Sequence, residues 1–512
     1  MNILVCFKIL PEPDRVLEED WRNFDLKADL GYAGLDFNCF DRSALEIGLK
    51  IKEQAAVQGA EALCTALTVA PSAPGTMISG LYAAGCDRVV CLEQQDREFR
   101  PRDTASLISG YAEKLGADLI ICGKAAGMAE TGLVPYMTAL NLGMPLISDV
   151  ESGGFEDGHL KLLCRGEDGL REMKAGMPAV CAVGNSPEVL RLASLRARMK
   201  CRGMEAEMVS TAALPTLPAP ELFRPDRSRK CEMLSPEDCA ERILNEFRDN
   251  SAESGGSEST GSILSETSGG STPADPDGRT VMTVLRSGST ELMLFEDSAS
   301  GRAAAAETAY KNNLPCLFGV HITEIGGGRV LVQKPVCAAN LIWKKELQLP
   351  AVLTLSRREL SEYSGAEHIL LPERDNAGFI TEEKLISRAD GSALGNAETA
   401  VICGAGMGSK RNCDRARLLA EKLGAGFGLT RPAALNVWGK PSEIVGLSGS
   451  VIAPRCCLVL GAAGAGAFAA GIENAGKIIS VNTDSDALIF RNSDMGVQTD
   501  AAALTEKLLS ML

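Results

Sequence analysis

The sequence predicts an α/β fold built from doubly wound parallel sheets. Short, continuously apolar segments, such as residues 3–7 and 62–69, alternate with amphipathic stretches such as residues 41–56. Strands without polar alternation are typical of parallel sheets that helices cover on both faces. At about 150 residues per domain, the 512 residues are expected to form roughly three domains.

The alternation continues through the first half of the chain. We predict helices over residues 73–84, 104–115 and 131–142, the last capped by Thr131, and strands over residues 88–92, 118–122 and 179–183. Asn38 and Asp41 predict a helix N-cap box, with Asp41 opening the helix. Glycine turns within residues 147–177 predict antiparallel hairpins, and residues 236–247 predict a helix that closes this half.

A Ser/Gly-rich segment divides the chain. Sixteen of the 22 residues from 251 to 272 are Ser, Gly or Thr, and a Pro- and Asp-containing stretch follows to Gly278. Such a composition cannot bury a core, so we predict a flexible linker with a root-mean-square span of roughly 30 Å. Beyond it, residues 281–373 predict a smaller α/β unit and residues 400–512 predict further βαβ units.

Composition excludes several classes of protein. The formal net charge is −15, with 52 Lys and Arg against 67 Asp and Glu, which disfavours a nucleic-acid partner. No apolar run approaches the roughly 18 residues of a membrane span, so we expect a cytoplasmic protein. The 17 cysteines lack CxxC spacing and only three histidines are present, so we predict no metal site and no catalytic side chain. Any reaction would then be carried out by a bound cofactor.

Two glycine-rich turns follow predicted strands in the second half. Gly404–Gly408 has GxGxG spacing and precedes a helix, an arrangement that suits a phosphate and a plain tight turn about equally. Residues 461–468 repeat the arrangement, and a third strand ends at Asn482. Three polar or glycine-rich ends at one sheet edge favour a nucleotide site there. Arg431 and the loop 445–449 follow nearby strands.

The first half contains a similar loop. Residues 123–132 follow the strand ending at Cys122 and precede a predicted helix. Glycines before a helix N-terminus allow a phosphate to approach the backbone closely. The sequence therefore predicts a second candidate nucleotide site.

These segments resemble the electron transfer flavoprotein family. The first half is similar to the beta subunit at residues 2–8, 38–46, 83–88, 118–124 and 194–200 (NILVCFK, NCFDRSALE, AAGCDR, DLIICGK and SLRARMK). The second half is similar to the alpha subunit at residues 300–302, 335–340, 446–449 and 481–490 (SGR, PVCAAN, GLSG and VNTDSDALIF). We identify the chain as a natural fusion of a beta-type half and an alpha-type half.

The resemblance implies a division into four parts. They are a beta-like nucleotide-binding domain (1–250), the flexible linker (251–279), a truncated alpha N-terminal-like domain (280–395) and an alpha C-terminal FAD-binding domain (396–512). The family's folds are adenine nucleotide alpha hydrolase-like in the N-terminal units and DHS-like, or Rossmann-like, in the FAD-binding domain.

The resemblance also implies cofactors and their contacts. FAD would contact Thr430, Arg431, Val445, Gly446, Leu447, Ser448, Ala463, Gly464, Ala465, Gly466, Ala467, Phe468, Asn482 and Asp500. AMP or a second FAD in the first half would contact Cys6, Asn38, Phe40, Asp41, Val69, Gly123, Lys124, Ala125, Ala126, Glu130, Thr131, Gly132, Leu133 and Val134. Leu195 falls where the family has its dehydrogenase recognition loop.

Several positions depart from the family's pattern. Phe468 stands where a histidine usually donates to the flavin, and Ala463 replaces a serine near the pyrophosphate. The loop 404–408 lacks the family's arginine, and Met128 and Leu133 replace an acidic residue and a glutamine in the first half. Each lost donor or charge would weaken binding by about 1 kcal/mol.

The function implied is that of an electron carrier. FAD would take electrons from a flavin dehydrogenase, expected to be of the acyl-CoA type, and pass them to a second redox partner. Arg431 would stabilise the reduced flavin and Ser448 would donate toward ring nitrogen N5. One alternative is a degenerate interaction protein that has lost FAD. Another is an NAD-dependent dehydrogenase using residues 404–408, although no acidic residue follows the next strand, at Leu429 and Thr430.

Overall fold

The computed structural model describes residues 1–25, 28–95, 98–125, 128–166, 169–215, 217–248, 280–287, 290–371, 379–388, 394–395, 397–447 and 449–512. The predicted linker therefore lies outside the described residues. No helix in these ranges has the length and apolar character needed to cross a membrane.

The strands of the first half, in chain order, are β1 (Asn2–Cys6), β2 (Ile9–Pro11), β3 (Leu35–Phe37), β4 (Leu63–Ala70), β5 (Arg88–Glu93), β6 (Leu119–Gly123), β7 (Leu146–Glu156), β8 (His159–Gly166), β9 (Gly169–Ala175), β10 (Ala179–Val183), β11 (Glu207–Ser210), β12 (Glu221–Phe223) and β13 (Glu232–Leu234). Those of the second half are β14 (Val281–Ser287), β15 (Thr290–Glu296), β16 (Cys316–Leu317), β17 (His321–Gly326), β18 (Arg329–Val336), β19 (Leu341–Gln348), β20 (Ala351–Leu355), β21 (Glu367–Leu370), β22 (Ile380–Arg388), β23 (Thr399–Cys403), β24 (Gly426–Leu429), β25 (Cys456–Leu460), β26 (Lys477–Asn482) and β27 (Met495–Gln498).

The α-helices are α1 (Glu18–Arg22), α2 (Cys39–Val57), α3 (Gly75–Ala84), α4 (Pro101–Leu115), α5 (Val134–Leu142), α6 (Leu195–Lys200), α7 (Cys239–Arg248), α8 (Ala299–Lys311), α9 (Arg357–Ser361), α10 (Lys410–Leu423), α11 (Arg431–Leu435), α12 (Gly466–Ile472) and α13 (Ala501–Ser510). Short 3-10 turns occur at Pro13–Arg15, Gly31–Ala33, Ala405–Met407, Pro441–Glu443 and Leu488–Asn492.

The chain folds into two compact units, each assembled from two stretches of sequence. The first unit comprises Met1–Pro225 and Arg279–Asp390, and the second comprises Asp226–Gly278 and Gly391–Leu512. The four-part division made from the sequence stays a prediction.

The main sheet of the first unit has the order β11-β5-β4-β1-β6-β10-β7-β8-β9-β22. Its strands from β11 to β7 are parallel, and β7, β8, β9 and β22 are antiparallel, as the hairpin prediction required. The chain runs from β1 outward through β4 to β5 and then returns to β6 on the other side of β1. The carboxyl ends of β1 and β6 therefore flank a topological switch point, where ligands bind in open α/β sheets. The predicted α/β fold with parallel sheets is confirmed.

Three smaller sheets complete the first unit, and one of them is the antiparallel pair β2-β3. The order β12-β19-β18-β17 forms an antiparallel sheet, and β16-β20-β15-β14-β21 forms a mixed sheet on which α8 packs. Segments from both sides of the linker share a core, since Trp21 and Leu30 belong to the same buried cluster as Leu353 and Trp343.

The sheet of the second unit is parallel throughout, with the order β13-β27-β26-β25-β23-β24. From β23 the chain passes to β24 on one side and then to β25 on the other, so the switch point lies between β23 and β25. Cys456 and Cys457 are both buried but belong to clusters on opposite faces, as alternation along a strand predicts.

Three local predictions were wrong. The helix predicted to close the first half is α7, whose apolar side chains Ile243, Leu244 and Phe247 are buried in the core of the second unit instead. The helix after residue 131 begins at Val134, so Thr131 does not cap it. Helix α2 begins at Cys39, no side chain caps its N-terminus, and Asp41 serves a tertiary role described below.

Candidate functional site

A cleft of about 730 Å³ opens at the switch point of the first unit. This volume includes open solvent at the entrance of the cleft. Its lining comes from the ends of β1, β4 and β6, the segment before α4, and the loop between β6 and α5: Cys6, Phe7, Lys8, Asp41, Leu67, Val69, Glu98, Phe99, Arg100, Pro101, Thr104, Ile108, Cys122, Gly123, Lys124, Ala125, Ala129, Thr131, Gly132, Val134 and Pro135.

Asp41 ties the two strands at the floor of the cleft together. Its carboxylate accepts a hydrogen bond of 2.9 Å from the backbone N–H of Lys8 and one of 3.1 Å from that of Gly123. Lys8 follows β1 and Gly123 ends β6, so one side chain fixes both edges of the switch point.

Burial raises the pKa of Asp41 from 3.8 to about 7, although the hydrogen bonds from Asn38, Lys8 and Gly123 oppose this shift. The carboxyl group is therefore partly protonated near neutral pH. On average, Asp41 therefore contributes less than one full negative charge to the cleft at neutral pH.

Two lysines and two helix starts in the cleft suit an anion. Lys124 approaches Asp149 at 3.4 Å and lies 5.4 Å from the ring centre of Phe40. Lys8 also lines the cleft, and both α4 and α5 begin there, at Pro101 and Val134. Helix N-termini carry partial positive charge and free N–H groups, so ammonium groups and helix starts together favour a phosphate.

Segments on both sides of the cleft mouth are connected by Glu98. Its carboxylate forms an ion pair of 2.7 Å with Lys8 and accepts a hydrogen bond of 3.1 Å from the backbone N–H of Met128. The neighbouring Phe99 has a φ of 58° and packs edge-to-face on Trp343, with ring centres 4.8 Å apart. The left-handed backbone conformation of Phe99 and its packing on Trp343 therefore fix the position of the adjacent Glu98.

The cleft loop is also held by a turn from beyond the linker. The backbone N–H groups of Cys337 and Ala338 donate to the carbonyl of Met128 and to Oε1 of Glu130, at 2.8 and 3.2 Å. Cys337, Ala338 and Ala339 all have φ between 52° and 58°. Such conformations are costly for residues other than glycine and persist only where the surroundings enforce them.

The structure brings many of the predicted first-half residues together. Those lining the cleft are Cys6, Asp41, Val69, Gly123, Lys124, Ala125, Thr131, Gly132 and Val134. Others support it from outside: Asn38 donates to the carbonyl of Ala125 at 3.0 Å, Phe40 underlies Lys124, and Glu130 binds Ala338. Leu133 is buried with Phe318 in a separate cluster, and Ala126 lies outside the described residues.

Sequence reasoning missed Lys8, Glu98, Phe99 and Arg100. Lys8 could have been found, because it directly follows β1 at the sheet edge where a site was expected. No sequence pattern marks the segment before α4, because its approach to the cleft depends on how α4 packs.

In the second unit, the predicted FAD contacts lie along the carboxyl edge of the sheet. Thr430 follows β24, residues 461–466 follow β25, Asn482 ends β26 and Asp500 follows β27. Five adjacent strand ends, including that of β23, span about 19 Å, enough for an extended dinucleotide. The loop 445–447 joins this edge, since Val445 N–H donates to Leu429 and Leu447 N–H donates to Ala467, at 2.9 and 2.8 Å.

The glycines of the loop 404–408 have a packing role. A Cβ on Gly404 or Gly406 would lie 2.3 or 2.6 Å from the carbonyl oxygen of Gly461. Gly406 also donates its N–H to that oxygen at 2.9 Å. Close contact between the two loops at the switch point therefore explains the GxGxG pattern without a dinucleotide and weakens the NAD alternative.

Several predicted FAD side chains already have partners. Asn482 donates to the Ala462 carbonyl at 2.9 Å, and Asp500 caps α13 by accepting from Ala503 N–H at 2.7 Å. Phe468 is buried in a cluster with Val445 and Phe490. Ser448 lies outside the described residues.

The turn into α12 fits a pyrophosphate. Ala463, Gly464, Ala465, Gly466 and Ala467 carry no side chain larger than a methyl group, and Ala463 is exposed. Gly464 has a φ of 89°, and a Cβ there would lie 2.3 Å from the backbone nitrogen of Ile489. This turn places glycine and alanine backbone and a helix start at the switch point, which is the environment that dinucleotide phosphates use.

Comparison with known proteins connects this edge to a family. Residues 393–473 match the electron transfer flavoprotein FAD-binding domain, and residues 32–213 match the electron transfer flavoprotein domain. The chain belongs to the electron transfer flavoprotein family. It is a fusion in which a beta-type half precedes an alpha-type half, as predicted, and the prediction of FAD as its cofactor is confirmed at the level of the domain.

Curated relatives match parts of the chain. YgcR of Escherichia coli K12, named as a candidate electron transfer flavoprotein subunit, is 29% identical over 260 residues, which is 49% of this chain and 97% of YgcR. YgcQ of the same strain, similarly named, is 34% identical over 114 residues, or 22% of this chain. LctC of Acetobacterium woodii, a subunit of a lactate dehydrogenase (NAD(+),ferredoxin), is 31% identical over 161 residues, or 31% of this chain. The chain spans only 40% of YgcQ and 38% of LctC.

Proposed function

We propose that this electron transfer flavoprotein carries electrons on one FAD in its second unit. The electrons would come from a flavin dehydrogenase of the acyl-CoA type and pass to a second redox partner. Bound FAD supplies reversible uptake of electrons. The chain's own residues would orient it: the turn 463–467 would receive the pyrophosphate, and Arg431 would place positive charge beside the ring system. The match of residues 393–473 to an FAD-binding domain carries this proposal.

An exposed segment in the first unit supports a protein partner. Leu192, Leu195 and Met199 are 88%, 75% and 69% exposed, around the short helix α6. Arg196, Arg198 and Lys200 are exposed on the same helix. Apolar anchors within a basic rim suit docking on an acidic protein surface. Leu195 also occupies the position at which the resemblance places the dehydrogenase recognition loop.

The cleft of the first unit is proposed to bind an adenine nucleotide. Its support is the location at the switch point, the two cleft lysines and the starts of α4 and α5. The nucleotide would be AMP or a second FAD, since both place a phosphate next to an adenosine.

Counting bound nucleotides tests the cofactor proposals. The purified protein is denatured, and the released FAD and AMP are quantified per chain by chromatography. One FAD per chain, or one after reconstitution with excess FAD, supports the carrier. A second unit that binds no FAD would instead favour the alternative that the chain is a degenerate interaction protein.

Electron donors are tested by following bleaching of the bound flavin. An acyl-CoA with a catalytic amount of its dehydrogenase should reduce the flavin under anaerobic conditions. Because LctC is named as a lactate dehydrogenase subunit, a lactate-oxidising flavin dehydrogenase is the comparison donor. Reduction by neither donor would contradict the proposed partner class.

A further inference from the structure

The cleft contains a carboxylate where a phosphate would be expected. Glu98 Oε1 lies 2.7 Å from the ammonium group of Lys8, and its Oε2 accepts from the N–H of Met128 at 3.1 Å. A cation together with a loop N–H is the donor set that proteins use for phosphate oxygens.

These donors come from the two sides of the switch point. Lys8 follows β1 and Met128 lies in the loop after β6, so Glu98 bridges the crevice between the strands. The side chains of Lys8 and Glu98 are only 17% and 18% exposed. A pair so shielded is screened less by solvent than a surface ion pair, which makes the competition for Lys8 strong.

The backbone around Glu98 fixes its position. Phe99 is left-handed and packs on Trp343, and Arg100 is buried and donates to Asp103 at 3.1 Å. The carboxylate is therefore presented by an anchored segment. A phosphate dianion and this carboxylate would repel each other if both occupied the same donors.

We propose that Glu98 occupies the phosphate subsite of the nucleotide cleft as a built-in competitor and thereby lowers its affinity for phosphorylated ligands. This inference rests on the proposed adenine nucleotide site. A phosphate that binds Lys8 and the Met128 N–H must displace Glu98, whereas the adenosine part of the ligand does not meet it. Glu98 would then set the preference of the cleft between nucleotide and nucleoside.

The test is calorimetric titration of the full-length protein, stripped of bound nucleotide, with AMP and with adenosine. Glu98→Gln removes the charge with little change in shape, and we expect AMP to bind about tenfold more tightly while adenosine affinity changes less than about twofold. Adding Lys8→Gln to this variant should remove the gain for AMP. Glu156→Gln is the matched control, since Glu156 pairs with Lys161 at 3.1 Å on the β7–β8 hairpin and neither residue lines the cleft.

The outcomes separate the two proposals. AMP that binds wild type and Glu98→Gln with equal affinity, or a gain shared equally by adenosine, overturns the role of Glu98 and leaves the nucleotide site intact. Absence of AMP binding in every folded variant overturns both. Glu98→Ala is the second variant, with the same expected gain for AMP, and thermal melting establishes that each variant is folded.

Discussion

The Asp41 carboxylate accepts a hydrogen bond of 3.1 Å from the backbone N–H of Gly123, the last residue of β6. Asp41 lies in α2 and is 2% exposed, so this bond fixes the helix over the end of the strand. The same carboxylate binds the N–H of Lys8. The floor of the cleft therefore depends on one buried acid.

The raised pKa of Asp41 predicts a dependence of stability on pH. Because the native state holds a proton that the unfolded state releases, this contribution is complete below about pH 3.8 and is lost as the pH rises through about 7. The stability of wild type relative to Asp41→Asn should therefore fall by about 1 kcal/mol per pH unit between pH 5 and pH 6.5. Chemical unfolding of both proteins across this range measures it. A relative stability that rises with pH would contradict the sign.

Gly123 admits no side chain. A Cβ at this position would lie 2.2 Å from Asp41 Oδ1 and 2.8 Å from Phe40 Cβ. We expect Gly123→Ala to lower the free energy of unfolding by about 3 kcal/mol and to impair AMP binding. Gly110→Ala is the control, because nothing lies within 4 Å of its Cβ position in the middle of α4, and it should stabilise by up to about 1 kcal/mol. Equal effects of the two substitutions would refute the packing argument.

Glu130 supports the cleft loop through Ala338. Glu130→Ala removes the acceptor of the Ala338 N–H, and we expect a loss of about 1 to 2 kcal/mol in the free energy of unfolding. Glu130→Gln keeps a carbonyl oxygen in reach and should cost less than about 0.5 kcal/mol. Denaturant unfolding followed by tryptophan fluorescence compares the two. The prediction fails if Gln is as damaging as Ala.

The turn before α12 offers a site for improved FAD binding. Ala463 is exposed and stands where the resemblance places a serine near the pyrophosphate. Ala463→Ser supplies a hydroxyl donor, and we expect it to strengthen FAD binding by about fivefold, close to 1 kcal/mol. Reconstitution of the apoprotein, followed by quenching of FAD fluorescence, gives the dissociation constant. Ala463→Val, which adds bulk without a donor, should bring no gain.

Leu195 is predicted to anchor the dehydrogenase. Leu195→Glu should slow reduction of the flavin by its dehydrogenase about tenfold, because a charge replaces an apolar anchor at the centre of the surface. The FAD content should not change. Val57→Glu is the control, since Val57 is 89% exposed at the end of α2. If both variants transfer electrons at the wild-type rate, docking does not use α6.

The alternation of apolar strands and amphipathic helices was sufficient to predict the parallel sheets, because burial on both faces leaves a pattern within each segment. The glycine turns after β6 and β25 could be predicted for the same reason, because they too are local patterns. The roles of Asp41 and Glu130 could not be predicted from the sequence, since their hydrogen-bond partners Gly123 and Ala338 lie 82 and 208 residues away in the chain. Helix α7 was assigned to the wrong half because an amphipathic pattern does not specify which core will receive it.

From the sequence alone, the parallel sheets and the glycine-rich edge of the second unit's sheet can be predicted, because strand periodicity and glycine turns are local properties. The family and its FAD followed from the resemblance of short sequence segments. The tertiary structure was needed to show that segments from both sides of the predicted linker build one unit and that Glu98 lies across the cleft of that unit. Such contacts depend on how helices and loops pack over distances of many residues. The energies that select them belong to the assembled core rather than to any one segment.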